Sequence, residues 1–396
     1  MKIALFAVGD AAWQGGIQYI TNLLFALDAI ADEETIEVHL FKNEHQHFPG
    51  LEKLKRLQLT ISAVNSVFEP FSLYNRLVWF VQRKLQGRLI PRFENYFLKN
   101  KFDFVFPIRL SDCNGRLNVG AWIADFQYHH FPDGANSETT RKAEQLIGDI
   151  ANNARKVVLS SNYCQNDCLR LFPLSEGKTF VMPFAVHIDK SVLAFNKFEE
   201  VRAKYSLPEK FLIVANLFAP TKNHVTLFNA LGILKRKGLI IDLVCTGNIV
   251  DYRNQSYAND ILKMLTENGI RSQVHLLGLI DRNDQVAMFR MSTAMVQPSI
   301  NEGWSTSVEE AKCLGKYLLV SDIDVHREQS RNNPLMFSAL NPQSLADKIE
   351  ELWNDTSSTA FPETEKESRA NDNYQNQIKD FGRRFVELVK FAPKTK

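Results

Sequence analysis

The sequence predicts an α/β protein made of two domains, each a doubly wound parallel sheet, facing each other across a cleft. Short apolar runs alternate with longer amphipathic stretches through both halves of the chain, which is the pattern of repeated strand–helix units. Polar or glycine-containing loops follow several of the apolar runs, where parallel sheets bind ligands. At 396 residues the chain is long enough for two such domains.

Composition narrows the class of protein. A hydrophobic share of 45% favours full cores over disorder, and a net charge of +2 argues against a general nucleic-acid-binding surface. The five cysteines are odd in number and lie in apolar or helical contexts, so we expect reduced thiols and a cytoplasmic location. The chain opens on a strand, and no run approaches the length of a membrane span.

The first domain is predicted to span residues 1–187. Its predicted strands are 2–8, 37–41, 102–107, 119–124, 156–160 and 179–183, and its predicted helices are 19–30, 136–154 and 161–172. Loop 9–18 carries Gly15 and Gly16 at the carboxyl end of the first strand. The glycine spacing is not that of the dinucleotide fingerprint, and a glycine pair alone is typical of a turn.

Residues 51–101 are basic and interleaved with aromatic side chains. Ten lysines and arginines stand against three glutamates. A basic amphipathic helix of this kind can lie on an anionic membrane surface, through residues 71–101. The alternative, which fits slightly better, is a core helix with a solvated Lys/Arg face; a ligand linked to a lipid would favour the membrane interpretation.

Polar side chains follow the strand predicted at 119–124. Asp125, Gln127, His129 and His130 come in quick succession. One histidine there would more often be structural, but the cluster sits at a strand end that should face the cleft. We therefore treat these four residues as candidate site residues.

Residues 188–209 are predicted to be a linker and 210–373 the second domain. Its predicted strands are 211–215, 240–246, 274–277, 293–296 and 317–320, and its predicted helices are 225–235, 257–268, 281–291, 308–314 and 344–353. A final helix at 374–391 is expected to pack back on the first domain. Asn216 and Lys222 follow the first of these strands, and Lys222 precedes a helix N-terminus, where amides and an ammonium can bind a diphosphate.

The most informative stretch runs from Pro298 to Glu310. It joins a short buried strand to a helix, and Ser305, Thr306 and Ser307 are candidate N-caps for that helix. A helix N-terminus favours anions, whereas the carboxylates of Glu302 and Glu310 suit hydroxyl groups. The combination indicates a ligand that carries both phosphate and sugar, although solvated acids in an ordinary turn are the alternative.

The spacing of these two acids, with Pro298-Ser299 before them, resembles the donor-site signature of glycosyltransferase family 4. That family has the GT-B fold, two Rossmann-like domains facing a cleft, and retains anomeric configuration. The resemblance extends to a polysaccharide and O-antigen type subgroup, through Trp122-Ile123-Ala124-Asp125-Phe126-Gln127 and the segment from Asn216 to His224. Two departures stand out, because Ala124 replaces a usual histidine and Asn216 lies near a usual arginine.

The resemblance implies roles for particular residues. Catalytic roles would fall to Glu302, Lys222 and Asp125, and the acceptor side would be lined by Gln127, His129 and His130. The donor and its nucleotide would be bound by Gly15, Gly16, Asn216, Lys222, Gly247, Pro298, Ser299, Glu302, Gly303, Trp304, Ser305, Thr306 and Glu310. Segments Ser321-Asp322-Ile323 and His326-Arg327-Glu328 match the subgroup and would be supports or ordinary turns.

The sequence therefore predicts a metal-independent glycosyltransferase without a cofactor, acting on a nucleotide sugar and a glycan or lipid-linked acceptor. Asp322 and Asp324 have the spacing of a metal-binding pair but come after the elements that carry the predicted site. Two alternatives stay open: a nucleotide-sugar epimerase of the same fold, and a non-catalytic scaffold that binds nucleotide sugar. The base, the sugar and the acceptor are not specified by these patterns.

Overall fold

A computed structural model of the chain divides into two compact units. It describes residues 1–9, 14–64, 92–108, 117–131, 137–250, 256–331, 333, 335–356 and 361–392. Unit 1 comprises Met1–Asp125, Gln145–His187 and Asn376–Lys396, and unit 2 comprises Phe126–Glu144 and Ile188–Gln375. Each unit is thus assembled from separate stretches of the chain.

The described residues form strands and helices that alternate along the chain. The strands are β1 (Lys2–Phe6), β2 (Glu37–Lys42), β3 (Gln58–Ala63), β4 (Phe104–Phe106), β5 (Ala121–Ile123), β6 (Val157–Leu159), β7 (Thr179–Val181), β8 (Leu212–Ala215), β9 (Leu243–Thr246), β10 (Val274–Gly278), β11 (Ala294–Gln297), β12 (Tyr317–Ser321) and β13 (Met336–Phe337). The helices are α1 (Gln14–Ala29), α2 (Arg92–Lys99), α3 (Gln127–His130), α4 (Ser137–Asn153), α5 (Asn162–Leu171), α6 (Lys190–Leu193), α7 (Phe198–Tyr205), α8 (His224–Arg236), α9 (Ser256–Glu267), α10 (Arg282–Met291), α11 (Thr306–Cys313), α12 (Asp324–Gln329), α13 (Pro342–Asp355) and α14 (Thr364–Lys390).

The strands of unit 1 are all parallel. Four of them form a sheet in the order β3-β2-β1-β4, and three form another in the order β5-β6-β7. A parallel bridge between Val105 and Val119 joins β4 to the segment that leads into β5. The seven strands therefore follow the doubly wound order that the strand–helix alternation predicts.

Unit 2 has one six-stranded parallel sheet, in the order β10-β9-β8-β11-β12-β13. Its first strand, β8, lies between β9 and β11, so the strand order reverses between β8 and β11. The carboxyl ends of those two strands are the place where such sheets bind ligands. The α/β class with parallel sheets in two domains, predicted from the sequence, is confirmed.

Helix periodicity explains how the core of unit 2 forms. Leu227, Leu231 and Leu234 recur on one face of α8 and are fully buried against the sheet. All four residues of β11 in unit 2 are buried, as are all three of β6 in unit 1, which is expected for central strands covered by helices on both faces.

The beginning of α1 corrects one sequence-based boundary. The helix begins at Gln14, so Gly15 and Gly16 lie in its first turn rather than in a loop. A Cβ on Gly16 would lie 2.8 Å from the backbone nitrogen of Gly9. The absence of a side chain therefore lets the first turn of the helix lie against the backbone of Val8 and Gly9, which follow β1.

Other boundaries also differ from the sequence-based ones. Strand β3 was missed because its side chains are mostly exposed and lack a clear apolar alternation. Helix α14 begins ten residues earlier than predicted, at Thr364. The expected linker contains α6 and α7, and Lys204 Nζ of α7 bonds Asp284 Oδ2 at 2.6 Å within unit 2.

The final helix contributes to the core of unit 1. Phe385 packs its ring against Phe104 and Phe106, with centroids 5.9 and 5.5 Å away. Lys156 Nζ donates to the carbonyl oxygens of Leu388 and Val389 at 2.9 and 3.1 Å, near the end of the helix. These bonds satisfy carbonyls that a helix end leaves without partners.

The remaining sequence-based expectations concern the basic segment, the cysteines and membrane-spanning helices. Most of the basic segment 71–101, and Cys113, lie outside the described residues. The four described cysteines are buried and form no disulfide with one another, in line with the reduced thiols expected from the sequence. A search of the described helices finds none with the length and hydropathy needed to cross a membrane.

Candidate functional site

An amide pair marks the point where the strand order of unit 2 reverses. Asn216 directly follows β8, and Gln297 is the last residue of the neighbouring strand β11. Asn216 Nδ2 donates to Gln297 Oε1 at 3.0 Å, and both side chains are buried. Buried amides at the ends of two apolar strands place polar chemistry where doubly wound sheets bind ligands.

Glu302 is a buried carboxylate held by three donors. Lys222 Nζ, Ser299 Oγ and Gln297 Nε2 lie 2.6, 2.7 and 2.8 Å from its Oε1 atom. Its side chain is 8% exposed. No hydrogen bond from the described part of the chain reaches Oε2, so that oxygen can accept bonds from a ligand's hydroxyl groups.

The surroundings of Glu302 keep it charged. Burial alone would raise the pKa of its carboxyl group. The attraction and hydrogen bond of Lys222, together with the hydroxyl of Ser299, outweigh burial and hold that pKa below its usual value. The carboxylate is therefore an acceptor of hydrogen bonds at neutral pH.

Lys222 comes from a short turn that is tied to the loop after β11. The turn Pro220–Lys222 ends at Asn223, which adopts φ 52°, a left-handed conformation that asparagine tolerates. Asn223 Oδ1 caps α8 by accepting from Thr226 N, and Asn223 Nδ2 donates to the carbonyl of Pro298 at 3.1 Å. One asparagine thus positions both Lys222 and the segment that carries Glu302.

A buried histidine supports the segment that carries Glu302. His326 Nδ1 lies 2.9 Å from the carbonyl oxygen of Ser321, and the Ser321 hydroxyl donates to the carbonyl of Ser299. Burial lowers the pKa of His326, so its ring is neutral. The structure therefore makes Ser321 and His326 supports of the Glu302 segment, one of the two roles considered for them from the sequence.

Gly247 lies against Asn216 at the end of β9. It adopts φ 113°, and a Cβ atom there would lie 2.3 Å from the carbonyl oxygen of Asn216. The backbone nitrogen of Asn216 also donates to the carbonyl of Thr246 at 3.0 Å. Only glycine allows this loop to approach the end of β8 so closely.

Ser305 is the N-cap of α11. Its Oγ accepts from the backbone nitrogen of Val308, and Thr306 and Ser307 lie inside the helix. Ser307 Oγ donates to the carbonyl of Ala215 at 2.9 Å, which fixes the start of α11 beside the end of β8. In the loop before the helix, Gly303 is buried and Trp304 half-buried.

The second acid, Glu310, lies within α11 and has its own cation. Arg282 Nη2 lies 2.6 Å from Glu310 Oε1. The Glu310 side chain is 5% exposed and that of Arg282 is 38% exposed. Across the described residues, no direct hydrogen bond or ion pair joins Glu310 to Lys222 or Glu302.

The remaining predicted site residues lie in other elements. Asp125 follows β5 in unit 1, which also contains Gly15 and Gly16. Gln127, His129 and His130 belong to the short helix α3, which the chain division assigns to unit 2. All four residues from Asp125 to His130 named as candidates are at least partly exposed.

The acidic pair Asp322 and Asp324 has a basic partner. Arg327 Nε lies 2.6 Å from Asp322 Oδ1, and Arg327 Nη1 lies 2.7 Å from Asp324 Oδ1. Hydrogen bonding by Arg327 also lowers the pKa of Asp322. The two carboxylates thus share one guanidinium on the surface.

Sequence reasoning missed Gln297 and Arg282. Gln297 lies between the predicted strand 293–296 and the stretch that begins at Pro298, and it was assigned to neither, although a glutamine beside an apolar run is a recognisable signal of buried polar chemistry. Arg282 gives no such signal, because an arginine in the first turn of a helix is ordinary. Only the tertiary structure shows that it meets Glu310.

The arrangement can bind a ligand of mixed character. Lys222 and the amides at the start of α8 offer positive charge to a phosphate. Glu302, whose Oε1 atom lies 2.6 Å from Lys222 Nζ, offers its other carboxylate oxygen as an acceptor to hydroxyl groups. A sugar joined to a diphosphate would satisfy both requirements.

Sequence comparisons point to the same half of the chain. Residues 197–376 match the family model described as Glycosyl transferases group 1. The chain is 24% identical over 353 residues to the O-antigen chain mannosyltransferase RfbU of Salmonella typhimurium, covering 87% of this chain and 88% of that protein. It is 25% identical over 246 residues to the serotype-specific mannosyltransferase WbdA of Escherichia coli, covering 60% of this chain and 28% of WbdA. The chain therefore spans little more than a quarter of WbdA.

Solved structures resemble the whole chain. A glycosyltransferase from Rickettsia africae matches with a TM-score of 0.66 and 16% identity, covering 98% of this chain and 97% of that one. Anabaena HepE, solved in complex with UDP and glucose, matches with a TM-score of 0.65 and 17% identity, covering 98% and 99%. With its two α/β units and parallel sheets, the chain has the GT-B fold, and its residues 197–376 carry the likeness to group 1 glycosyl transferases.

Proposed function

We propose that this protein is a retaining glycosyltransferase of the family 4 type. It moves a sugar from a nucleotide-sugar donor to a glycan or lipid-linked acceptor in the synthesis of a cell-surface polysaccharide. The observation that carries the proposal is the Lys222–Glu302 pair at the strand-order reversal of unit 2. Both residues lie within the segment that matches the family model.

The two residues of the pair contact different parts of the donor. Lys222 and the N-terminus of α8 bind the diphosphate, and Glu302 accepts hydrogen bonds from the sugar. Glu302 Oε1 is held in place by Ser299 and Gln297 as well as by Lys222. The carboxylate therefore keeps its position if the ammonium turns toward the phosphate.

Catalysis follows from stabilising the leaving group. Negative charge develops on the diphosphate as the glycosidic bond breaks, and a preorganised ammonium and helix N-terminus lower the energy of that state. We propose that this positive charge makes a metal ion unnecessary. The acceptor hydroxyl then attacks from the face that the diphosphate leaves and gives its proton to the departing diphosphate oxygen, which retains the configuration of the anomeric carbon.

The relatives suggest the sugar and the acceptor. RfbU and WbdA are named as mannosyltransferases, which favours mannose and a hexosyltransferase reaction for this chain. RfbU is also named for the O-antigen chain, which favours a growing glycan as acceptor. Gln127, His129 and His130 remain the predicted acceptor-side residues, and Asp125 remains a predicted catalytic residue.

A lipid-linked acceptor would bring a cytoplasmic enzyme to the inner face of a membrane. The basic aromatic segment 71–101 is the predicted point of contact. Association of this kind would be peripheral and would weaken as salt screens the charges.

The proposal is tested first by donor binding. Thermal unfolding is recorded with GDP-mannose, UDP-glucose, UDP-N-acetylglucosamine and a dTDP-sugar. A ligand at a hundred times its dissociation constant stabilises a protein by about 2.7 kcal/mol, so one or more of these sugars should raise the melting temperature. A flat response to every nucleotide sugar would contradict the proposal.

The stabilising donor is then incubated with and without methyl α-mannoside as a minimal acceptor, and the products are followed by proton NMR. We expect release of nucleoside diphosphate that accelerates with acceptor, and a product whose anomeric coupling matches that of the donor. Conversion of the donor sugar to its epimer without acceptor would identify an epimerase. Binding without any turnover would favour a scaffold.

A further inference from the structure

Glu310 and Glu302 are connected through four elements of unit 2 by a path of one ion pair followed by a series of hydrogen bonds. From Glu310 the path passes to Arg282 at 2.6 Å, from Arg282 Nη1 to Gln285 Oε1 at 2.9 Å, and from Gln285 Nε2 to Thr246 Oγ1 at 3.3 Å. It continues from Thr246 O to the backbone nitrogen of Asn216 at 3.0 Å, then through Gln297 to Glu302.

We infer that Arg282, with Gln285, is a positioning residue for the nucleotide half of the donor: it holds Glu310 in place for the ribose and ties it to the loop at Gly247. This inference rests on the proposed function and deepens it. It assigns a role to α10, whose residues no sequence pattern marked as part of the site.

The geometry favours a role for Arg282 in positioning Glu310 over a role in blocking the nucleotide site. Glu310 is almost fully buried, and a buried carboxylate without a counter-charge is costly, so its neighbour must stay close. Arg282 is more exposed, and it meets Glu310 through Nη2 while Nη1 is held by Gln285. The bond to Gln285 fixes the planar guanidinium, and the only ion pair formed by Glu310 among the described residues reaches Oε1. Glu310 Oε2 is therefore left to accept a ribose hydroxyl.

The path also explains why the two acids can act on one ligand without touching. Gly247 packs against the Asn216 carbonyl, and Thr246 is 1% exposed, so the loop has little room to shift. A displacement of Arg282 would therefore shift both Glu310 and the loop after β9. We expect nucleotide affinity to depend on Arg282, whereas the chemical step depends on Lys222.

The test measures whether Arg282 affects nucleotide affinity through the contact between Glu310 and the ribose. Dissociation constants of UDP, GDP, 2′-deoxy-UDP and 2′-deoxy-GDP are determined by calorimetry for the full chain and for Arg282→Ala. The wild type should prefer the tighter ribonucleotide about tenfold over its deoxy form, since a hydrogen bond to a charged group contributes about that factor. Arg282→Ala should bind the ribonucleotide about tenfold more weakly and lose most of the preference.

Controls separate positioning from a general structural effect. Arg327→Ala removes another arginine of unit 2 that pairs with a carboxylate at 2.6 Å, and it should keep the full ribose preference. Arg282→Lys retains a charge beside Glu310 but lacks the planar guanidinium whose two Nη groups meet Glu310 and Gln285, so it should show an intermediate preference and serves as the second variant if Arg282→Ala does not fold.

The outcomes distinguish this inference from the proposed function. If the wild type binds neither nucleotide, the proposed function fails, and the inference with it. If the wild type binds but both Arg282 variants keep the full ribose preference, only the inference is overturned. Tighter binding by Arg282→Ala would also overturn it, because Arg282 would then be blocking the site.

Discussion

At the scale of single residues, the Lys222–Glu302 pair is expensive to bury and is therefore informative. Removing two charges from water costs several kcal/mol per ion, and good geometry offsets that cost only in part. Two polar side chains, Ser299 and Gln297, donate hydrogen bonds to the same carboxylate oxygen of Glu302. An apolar contact would stabilise the fold at lower cost, so this cluster is better explained by ligand binding.

His224 shows how burial affects a single titrating group. Its ring is fully buried and stacks on Phe218 with centroids 4.0 Å apart. Neither ring nitrogen has a hydrogen-bond partner within the described residues. Burial, reinforced by the charge of Lys222, lowers the pKa of His224 from 6.5 to about 3. The neutral ring is therefore the form that the folded chain accommodates.

The depressed pKa predicts a specific dependence of stability on pH. Below pH 6.5 the unfolded chain takes up a proton at His224 that the folded chain refuses until about pH 3. The contribution of His224 to the free energy of unfolding is thus complete above pH 6.5 and declines as the pH falls. His224→Phe keeps an aromatic ring without the titration, so its urea midpoint should fall less than that of the wild type between pH 7 and 5. Parallel declines would contradict this account.

At the scale of elements, the loop after β9 depends on glycine. Gly247 combines φ 113° with a position where a Cβ would lie 2.3 Å from the Asn216 carbonyl oxygen. We expect Gly247→Ala to lower the melting temperature and to weaken nucleotide binding, because the loop must move away from β8. Gly278→Ala is the matched control: φ is 69° and no atom lies within 4 Å of its Cβ position, so only backbone strain of about 1–2 kcal/mol is added.

Thermal unfolding and calorimetric titration of both variants decide this prediction. A larger loss in Gly247→Ala than in Gly278→Ala supports close packing at the Asn216 end of the sheet. Equal losses would mean that backbone conformation alone, and not the approach to Asn216, requires glycine at position 247.

Elements with strong periodicity were predictable from the sequence, and elements defined by contacts were not. The leucine pattern of α8 and the apolar run of β11 placed both elements near their observed positions. Strand β3 and the first ten residues of α14 are polar enough to read as irregular chain. Their structure depends on packing against neighbouring elements, which a linear pattern does not contain.

The residues of the candidate site also fall into those that local sequence could place and those that it could not. Lys222, Glu302 and the N-cap Ser305 could be placed from local spacing, because each lies next to a recognisable helix start. Arg282 is 28 residues from Glu310 in the chain and meets it only through the sheet topology. Spacing could thus identify the two acids and Lys222, but it could not identify Arg282 and Gln297, which also hold those acids.

At the scale of the whole molecule, the chain divides its last helix between two units. Residues 364–375 of α14 belong to unit 2, where Glu367 Oε2 accepts from Arg290 Nε at 2.9 Å. The remainder belongs to unit 1, where Lys156 holds the end of the helix. Each unit therefore uses part of the C-terminal helix for its own packing.

The central claim is that Lys222 supplies the charge that releases the nucleotide, and donor turnover by Lys222→Met tests it most directly. Lys312→Met is the matched control, since Lys312 is similarly shielded, at 22% against 25% exposure, and pairs with the buried Glu309 at 2.9 Å. Loss of a preorganised charge at the leaving group should lower kcat by about 100-fold or more. We expect that fall for Lys222→Met and near wild-type turnover for Lys312→Met; equal turnover by the two variants would contradict the claim.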